Sequence, residues 1–395
     1  MFSKKMKRQY DVIIVGAGPA GSTLGYLLAS QGVDVLVVDK ETFPRSKLCG
    51  GGITWKTRML VEELYKTPFN QIFSVEACSE DYAIYEKRKL KVFQSSPEPF
   101  YFVDRQEYDL KLVSLAEEKF CRFLFGQKIV DLSLHDHKII TSSGESFHSP
   151  VIVGADGINS IIRKKALPQM PFSRYLSLGF QVNVPALQLR TPFQTQTPKF
   201  FFGYSKWGYG WIFPNDGHFV VGLCGLIRKN PRLKDTFVSF LRDVTELKID
   251  GSSSFISHMG PSGNFMEAPA AENLLLVGDA AGLADPLTGE GIYYAHKSAE
   301  LVAQTIREYF ESDRKQCMSE TYRLLLKPFI RELKIAKRFR DWTYSPMRYV
   351  GYRVLNQTTH YYKLAAVLHG TKSYTRLPFV FRWPQIGVLS RHRSV

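Results

Sequence analysis

Six residues near the N-terminus, 16–21, read Gly-Ala-Gly-Pro-Ala-Gly and could bind the diphosphate of a dinucleotide. One glycine of this pattern permits a tight turn, one lets the diphosphate approach the backbone, and one lets a helix pack against a strand. Asp39 follows 18 positions after Gly21 and is placed to accept a hydrogen bond from a ribose hydroxyl. A carboxylate at this point favours an unphosphorylated ribose, as in FAD or NAD.

This chemistry needs a strand before the glycines and a helix after them. Residues 10–15 form a β-branched run, residues 19–30 carry leucines on one helical face, and residues 33–39 form a second apolar run. The order of strand, glycine turn, helix, strand and terminal acid predicts a βαβ unit in a buried parallel sheet.

Two further glycine–acid motifs favour FAD over NAD. Residues 151–157 predict a strand that runs into Gly-Ala-Asp-Gly, and residues 273–282 predict a strand that runs into Gly-Asp-Ala-Ala-Gly. A helix predicted from Ile292 to about residue 309 would direct its N-terminal N–H groups at an acceptor with developing negative charge. The N1–C2=O edge of a reduced flavin is such an acceptor, and Asp279 could hold a hydroxyl of the ribityl chain.

Together these motifs resemble those of FAD-dependent oxidoreductases with the para-hydroxybenzoate hydroxylase fold. Within that group, two segments are similar to the geranylgeranyl reductase family: residues 44–53 (Pro-Arg-Ser-Lys-Leu-Cys-Gly-Gly-Gly-Ile) and residues 209–214 (Tyr-Gly-Trp-Ile-Phe-Pro), followed by Gly222. The resemblance covers residues 10–310, with its motifs in the family's order. One position departs from it, since Cys224 stands where the family often has a second glycine.

The resemblance implies an α/β fold, in which a Rossmann-like FAD-binding domain carries an inserted antiparallel β-sheet substrate domain and a C-terminal helical extension. The FAD-binding domain would comprise residues 1–72, 101–170 and 266–318, the substrate domain residues 73–100 and 171–265, and the extension residues 319–395. The implied FAD contacts are Gly16, Gly18, Pro19, Ala20, Gly21, Asp39, Lys40, Arg45, Cys49, Gly50, Gly52, Arg105, Val130, Asp279, Gly289, Gly291 and Ile292.

Cys49 is the candidate catalytic residue, close to the flavin ring. Its position between Lys47 and three glycines predicts a lowered thiol pKa. The alternative is a small residue that fills a tight turn. The nine histidines are scattered without the spacing of metal ligands, so no metal site is predicted, and His296 is interpreted as an ordinary core or surface histidine.

Residues 200–219 carry nine aromatic side chains. Tyr209, Trp211 and Phe213 alternate along the chain, so they share one face of a predicted strand. This face could be ordinary core, or it could wall an apolar tunnel for substrate over the isoalloxazine. We favour the tunnel, because the resemblance places this strand in the substrate domain.

Length and composition limit the classes of protein to which this chain can belong. A length of 395 residues predicts two or three structural units, and 44% hydrophobic with 23% charged residues excludes wholesale disorder. No apolar run reaches the roughly 18 residues of a membrane-spanning helix. Five unclustered cysteines argue against a disulfide scaffold and suit a cytoplasmic protein.

The net charge of +15 is concentrated near the C-terminus, where residues 301–395 hold 18 Lys and Arg against 6 Asp and Glu. Cations and aromatic rings together suit the headgroup region of an anionic membrane. We therefore predict peripheral docking on the cytoplasmic membrane face, with a helical cap packed on the FAD-binding domain as the alternative, and no nucleic-acid partner. The residues concerned are Lys327, Phe329, Arg331, Lys334, Lys337, Arg338, Phe339, Arg340, Trp342, Tyr344, Arg348, Tyr349, Tyr361, Tyr362, Lys363, Lys372, Tyr374, Arg376, Phe379, Phe381, Arg382 and Trp383.

The function that the resemblance implies is reduction of carbon–carbon double bonds in an isoprenoid chain, of a lipid, a quinone or a prenyl diphosphate. Reduced FAD would supply hydride, and Cys49 or ordered water a proton. NAD(P)H or ferredoxin would supply the electrons. The alternatives are an aromatic monooxygenase of the same fold, which would need a polar pocket, and a non-catalytic, flavin-bound membrane adaptor. A flavin-dependent halogenase is disfavoured, because no lysine lies in the expected tunnel motif.

Overall fold

The computed structural model describes residues 7–168, 175–249, 253, 255–344 and 358–376. Its strands, in chain order, are β1 (Val12–Val15), β2 (Val35–Val38), β3 (Gly52–Ile53), β4 (Ala77–Glu86), β5 (Lys89–Phe102), β6 (Arg122–Leu124), β7 (Ile129–Ser133), β8 (Lys138–Thr141), β9 (Ser146–His148), β10 (Val151–Gly154), β11 (Leu176–Pro185), β12 (Lys199–Phe202), β13 (Gly210–Asn215), β14 (His218–Leu226), β15 (Ile256–Pro261), β16 (Ala270–Ala271) and β17 (Leu274–Leu276). Its helices are α1 (Pro19–Ala29), α2 (Trp55–Tyr65), α3 (Phe69–Ile72), α4 (Arg105–Glu118), α5 (Ile161–Ala166), α6 (Leu233–Val244), α7 (Ile292–Glu311), α8 (Met318–Thr343) and α9 (Thr358–Leu368).

A parallel sheet has the strand order β16-β17-β10-β1-β2-β6, in which only β16 runs antiparallel to its neighbour. Every residue of β1, β2 and β10 is buried. The core around them takes side chains from α1, α7, α8 and the small sheet β7-β8-β9, which is why these strands read as continuous apolar runs. The predicted βαβ unit is confirmed, and its two strands each begin two residues later than expected.

An antiparallel sheet has the order β15-β11-β14-β13-β12-β4-β5-β3, with a parallel pairing of β12 and β4. Alternate residues of its strands face opposite sides. On one side, Phe201 and Val221 pack against Phe237 and Phe240 of α6. The other side faces a cavity. Since β3 comes from residues 52–53, this sheet takes a strand from the first segment assigned to the FAD-binding domain, and the domain boundaries stay a prediction.

The C-terminal region is helical where it is described. Along α8, Tyr322, Leu326 and Leu333 join the core of the parallel sheet. Phe339 and Arg340 are also buried, and the Arg340 guanidinium donates a hydrogen bond to Ser262 Oγ at 2.9 Å. The prediction that these two side chains face a membrane is therefore wrong, because each packs inside the protein as in the helical-cap alternative. The same prediction is wrong for Tyr374, which is buried and donates a hydrogen bond to Asp285 Oδ2 at 2.8 Å.

Several other residues of the predicted membrane surface lie outside the described residues. They are Arg348, Tyr349, Phe379, Phe381, Arg382 and Trp383, and the side chain of Tyr361 is likewise outside the description. Within the described ranges, no helix is both long and apolar enough to cross a membrane.

Candidate active site

A cavity of about 1160 Å³ is bordered by both sheets. Pockets for drug-sized ligands hold roughly 300–1,000 Å³, so this cavity has room for a large cofactor and a second molecule. One part, the polar end, is bordered by Gly16, residues 18–20, Asp39, Arg45 and Lys47. The other part, the apolar arm, is bordered by Tyr82, Ile84, Phe100, Phe102, Phe200, Phe202, Trp211, Phe213, Leu364, Ala365 and Leu368.

The glycine turn at the polar end is shaped by backbone contacts that leave no room for side chains. Gly16 has φ +108°, and a Cβ there would lie 2.3 Å from the Ala155 carbonyl oxygen. A Cβ on Gly21 would lie 1.8 Å from the carbonyl oxygen of Gly16. Asp39 Oδ2 accepts a hydrogen bond from the Ala17 N–H at 2.6 Å, which ties the turn to the end of β2. The turn is thus held open at the start of α1, where a diphosphate would meet free N–H groups.

Asp109 organises the arginines beside this turn. Its fully buried carboxylate accepts hydrogen bonds from Arg105 at 2.9 and 3.0 Å and pairs with Arg45 at 3.2 Å. Burial lowers the pKa of the Arg105 guanidinium, but Asp109 and the Cys49 side chain together outweigh burial, so the pKa is raised. Asp109 therefore fixes two cations along the cavity wall.

A third cation, Lys47, contacts the antiparallel sheet. Its Nζ lies 2.5 Å from Nε2 of His258 on β15. Burial lowers the pKa of Lys47 to about 8, and burial together with the Lys47 charge lowers the pKa of His258 to about 4. Since lysine can only donate, Nε2 of a neutral His258 is the acceptor.

The turn at residues 49–52 packs directly on the aromatic strand β13. A Cβ on Gly50 would lie 2.6 Å from Phe213 Cδ2, and one on Gly51, where φ is +72°, would lie 2.3 Å from the Val103 carbonyl oxygen. The glycines are therefore required for the close approach of this turn to the sheet. Cys49 borders the cavity within hydrogen-bonding reach of the Arg105 side chain.

The start of α7 closes the cavity opposite this turn. Tyr209 donates a hydrogen bond to the Thr288 carbonyl oxygen at 2.5 Å, which links the aromatic strand to the loop before α7. Asp279 lies nearby and is half-buried, and a Cβ on Gly291 would lie 3.4 Å from its Oδ1. Burial raises the pKa of Asp279, and the charges of Lys47 and Arg105 oppose that rise.

The apolar arm leads away from the Cys49 turn along β5. Phe102 packs on Phe213 with ring centroids 5.2 Å apart, and Phe100 packs on Phe200 at 6.1 Å. Leu364, Ala365 and Leu368 of α9 complete the wall. A chain of hydrocarbon groups fits these surfaces, whereas a charged substrate would find no ionic partner among the residues that define the arm.

Residues 9–333 match the family model of the FAD binding domain. A menaquinone reductase of Mycobacterium tuberculosis is 29% identical over 329 residues, covering 75% of this chain and 76% of the relative. A digeranylgeranylglycerophospholipid reductase of Methanothermobacter thermautotrophicus is 27% identical over 326 residues, covering 78% and 80%. The chain belongs to the geranylgeranyl reductase family of FAD-dependent oxidoreductases.

Solved structures agree with the fold. A geranylgeranyl bacteriochlorophyll reductase-like protein of Thermoplasma acidophilum superposes with a TM-score of 0.71 at 20% identity, over 95% of both chains. A flavin-dependent brominase superposes with a TM-score of 0.72 at 18% identity, over 95% of this chain and 97% of the other. At these identities the likeness concerns the fold alone, and the α/β fold class is confirmed.

FAD fits the cavity of this reductase-family member. The turn at Gly16 and Gly18 with the start of α1 would hold the diphosphate, Asp39 the adenosine ribose, and Asp279 the ribityl chain. The flavin would lie between the turn at residues 49–52 and the start of α7. The structure brings these predicted residues to one cavity, and their individual contacts with FAD stay predictions.

Two predicted site residues, Gly21 and Val130, are placed differently from the rest, and the interpretation of His296 as an ordinary histidine is confirmed. Gly21 lies behind the turn against Gly16 and does not border the cavity. The side chain of Val130 is 45% exposed and points away from the cavity, which is bordered instead by Ile129. His296 is a core histidine, with hydrogen bonds to Thr23 Oγ1 at 2.8 Å and Tyr108 OH at 2.7 Å.

Other residues of the site were not found from the sequence. Asp109, His258 and the residues of α9 carry no motif of their own. The walls from β4 and β5 did leave a signal, since Tyr82 and Ile84, and likewise Phe100 and Phe102, alternate as the strand period requires.

Proposed function

We propose that this FAD-dependent oxidoreductase saturates carbon–carbon double bonds of an isoprenoid chain carried by a lipid or a quinone. The observation that supports it best is the apolar arm, which begins at the Cys49 turn and is walled by aromatic and aliphatic side chains. The relatives named as digeranylgeranylglycerophospholipid and menaquinone reductases support the same substrate class.

When bound and reduced, FAD supplies a hydride for one carbon of the double bond. The chain's own residues would orient the alkene and exclude water, since the walls from Phe102 and Phe213 offer only apolar contact beside the turn. The other carbon needs a proton. Cys49 is our candidate donor, because it borders the cavity where the polar end meets the apolar arm.

We propose NAD(P)H or ferredoxin as the electron donor; the sequence has no second dinucleotide motif that would select between them. An aromatic monooxygenase of the same fold is the rival activity. Its substrate would require polar partners, and the side chains that define the arm offer almost none, which favours the reductase.

The test is a single turnover without oxygen. Purified, FAD-loaded protein is reduced chemically and mixed with a geranylgeranyl glycerolipid or a menaquinone, and flavin reoxidation is followed together with the mass of the product. We expect reoxidation and a gain of two hydrogens per reduced bond. A fully saturated chain is the control. Absence of reoxidation with both substrates, combined with oxygen insertion into an aromatic compound in air, would contradict the proposal.

We also propose that the remaining exposed cations of α8, among them Lys327, Arg331 and Arg338, bring the protein to anionic lipid, where a water-insoluble substrate dissolves. Replacing these three by serine should weaken sedimentation with anionic vesicles at low salt. The matched variant replaces Lys87, Arg88 and Lys89, which are equally exposed at the β4–β5 turn. If only that variant loses binding, α8 is not the docking surface.

A further inference from the structure

Lys47 is a partly buried cation whose direct partner is not an anion. Its ammonium donates to a neutral imidazole, His258 Nε2, at 2.5 Å. Among the described residues, no carboxylate lies within ion-pair distance of it, whereas Arg45 and Arg105 both pair with Asp109. Buried charges in proteins are normally matched by an opposite charge. The cavity that Lys47 borders is therefore the place where an anion would complete the pairing.

The surroundings of the pair locate that anion. The carboxylates of Asp279 and Asp109 favour the protonated form of Lys47. The guanidinium groups of Arg105 and Arg45 oppose it. His258 faces the cations Lys47, Arg105, Arg45 and Lys40. Arg45, two residues before Lys47, lies against Gly18, where an added Cβ would be 3.4 Å from the Arg45 Nη2. The loop that carries Lys47 thus runs beside the glycine turn.

We propose that Lys47, oriented by His258, binds the diphosphate of FAD. Lys47 lies in the segment 44–53 but is not among its predicted FAD contacts, and His258 lies on β15 of the antiparallel sheet. The cofactor would thereby be held from both sheets. The proposal rests on FAD binding and on no assumption about the substrate.

The pH dependence of FAD binding follows from the same geometry. A diphosphate favours the protonated amine, so binding raises the pKa of Lys47 from its value of about 8 in the free protein. Affinity for FAD is then greatest below that value and falls, by up to about tenfold per pH unit, as the pH rises above it.

The experiment measures dissociation constants of the full-length apoprotein for FAD, by flavin fluorescence, and for ADP, by competition. ADP carries the diphosphate without the flavin or ribityl chain. For Lys47→Met we expect at least a tenfold weaker affinity for both ligands, and for Lys47→Arg a change within about threefold. His258→Phe should weaken both, because the ammonium loses its acceptor. Lys165→Met, which removes an exposed lysine paired with Asp131, is the charge-matched control.

Thermal unfolding of each apoprotein establishes that the variant is folded. Undiminished affinity of a folded Lys47→Met variant for FAD would overturn the proposal. So would a loss of FAD affinity with ADP affinity unchanged, because the contact would then be to the flavin half. A wild-type affinity that stays constant between pH 7 and about pH 9.5, or falls equally in Lys47→Arg, would overturn the assignment of the titrating group.

Discussion

Ala365→Phe should shorten the apolar arm and leave the cofactor in place. Ala365 lies on α9, is 6% exposed, and packs in one cluster with Tyr82, Phe100 and Phe102. Its methyl group borders the cavity, so a benzyl side chain would project into the arm beyond Phe102. The polar end, with the glycine turn and Asp39, lies outside this cluster. Substrate length is therefore the property that should change.

The size of the effect follows from the hydrocarbon that the ring excludes. Each buried methylene contributes about 0.8 kcal/mol, so one five-carbon isoprene unit contributes about 4 kcal/mol. Ordering the chain in the arm offsets part of that gain. We expect a net loss of about 2–3 kcal/mol for a chain that no longer fits, which is roughly a hundredfold in Kd.

The assay is binding of prenyl chains of increasing length to the oxidised, FAD-loaded protein, followed by the change in flavin absorbance. Ala365→Phe should bind the shortest chains as the wild type does and lose affinity once the chain reaches α9. Tyr362→Ala, an exposed position on the same helix, is the control. An equal loss at every length, or no loss at any length, would refute the assignment of α9 to the arm.

Four further substitutions test other parts of the site. Cys49→Ser should keep FAD and lose most single-turnover reoxidation, because we expect the thiol, which borders the cavity, to lie at the flavin ring; an unchanged rate would make Cys49 a turn-filling residue. Asp279→Ala, or Gly18→Leu, should release FAD on gel filtration, and a protein that stays yellow would contradict the predicted contacts. Asp109→Ala leaves Arg45 and Arg105 without their carboxylate, so the free energy of unfolding of the apoprotein should fall by about 3–5 kcal/mol in urea titration. A decrease of less than about 1 kcal/mol in this free energy would mean that water replaces the Asp109 carboxylate beside the two arginines.

The parts of the fold that could be predicted from sequence are those with short-range patterns. The βαβ unit follows from glycines and apolar runs within residues 10–39, and the helix α7 from the apolar spacing after Gly291. The shared face of Trp211 and Phe213 follows from the period of a strand. Each of these patterns is set by neighbouring residues, so the chain's local geometry suffices to read it.

The parts that could not be predicted depend on contacts between distant segments. Lys47 and His258 are separated by 211 positions, and only the register of β15 brings them together. The wall that α9 contributes has no distinct signal, because Leu364 and Ala365 are ordinary helix residues. Arg340 looked like a surface cation, but Ser262 supplies its buried acceptor. In all three cases the partner, rather than the residue itself, decides the role.

The loop from Lys47 to Gly52 explains why the polar end and the apolar arm meet at Cys49. Lys47 contacts His258 on β15, Gly50 packs on β13, and Gly52 belongs to β3. Among the described strands, β15 and β3 are the two ends of the antiparallel sheet, separated by seven gaps, or about 34 Å if the sheet were flat. Five residue steps reach at most about 18 Å along the backbone, and the Lys47 and His258 side chains, which meet at their tips, extend that reach across the sheet face. Cys49 lies midway along this loop and borders the cavity, between Lys47 at the polar end and Gly50, which packs on the aromatic strand β13.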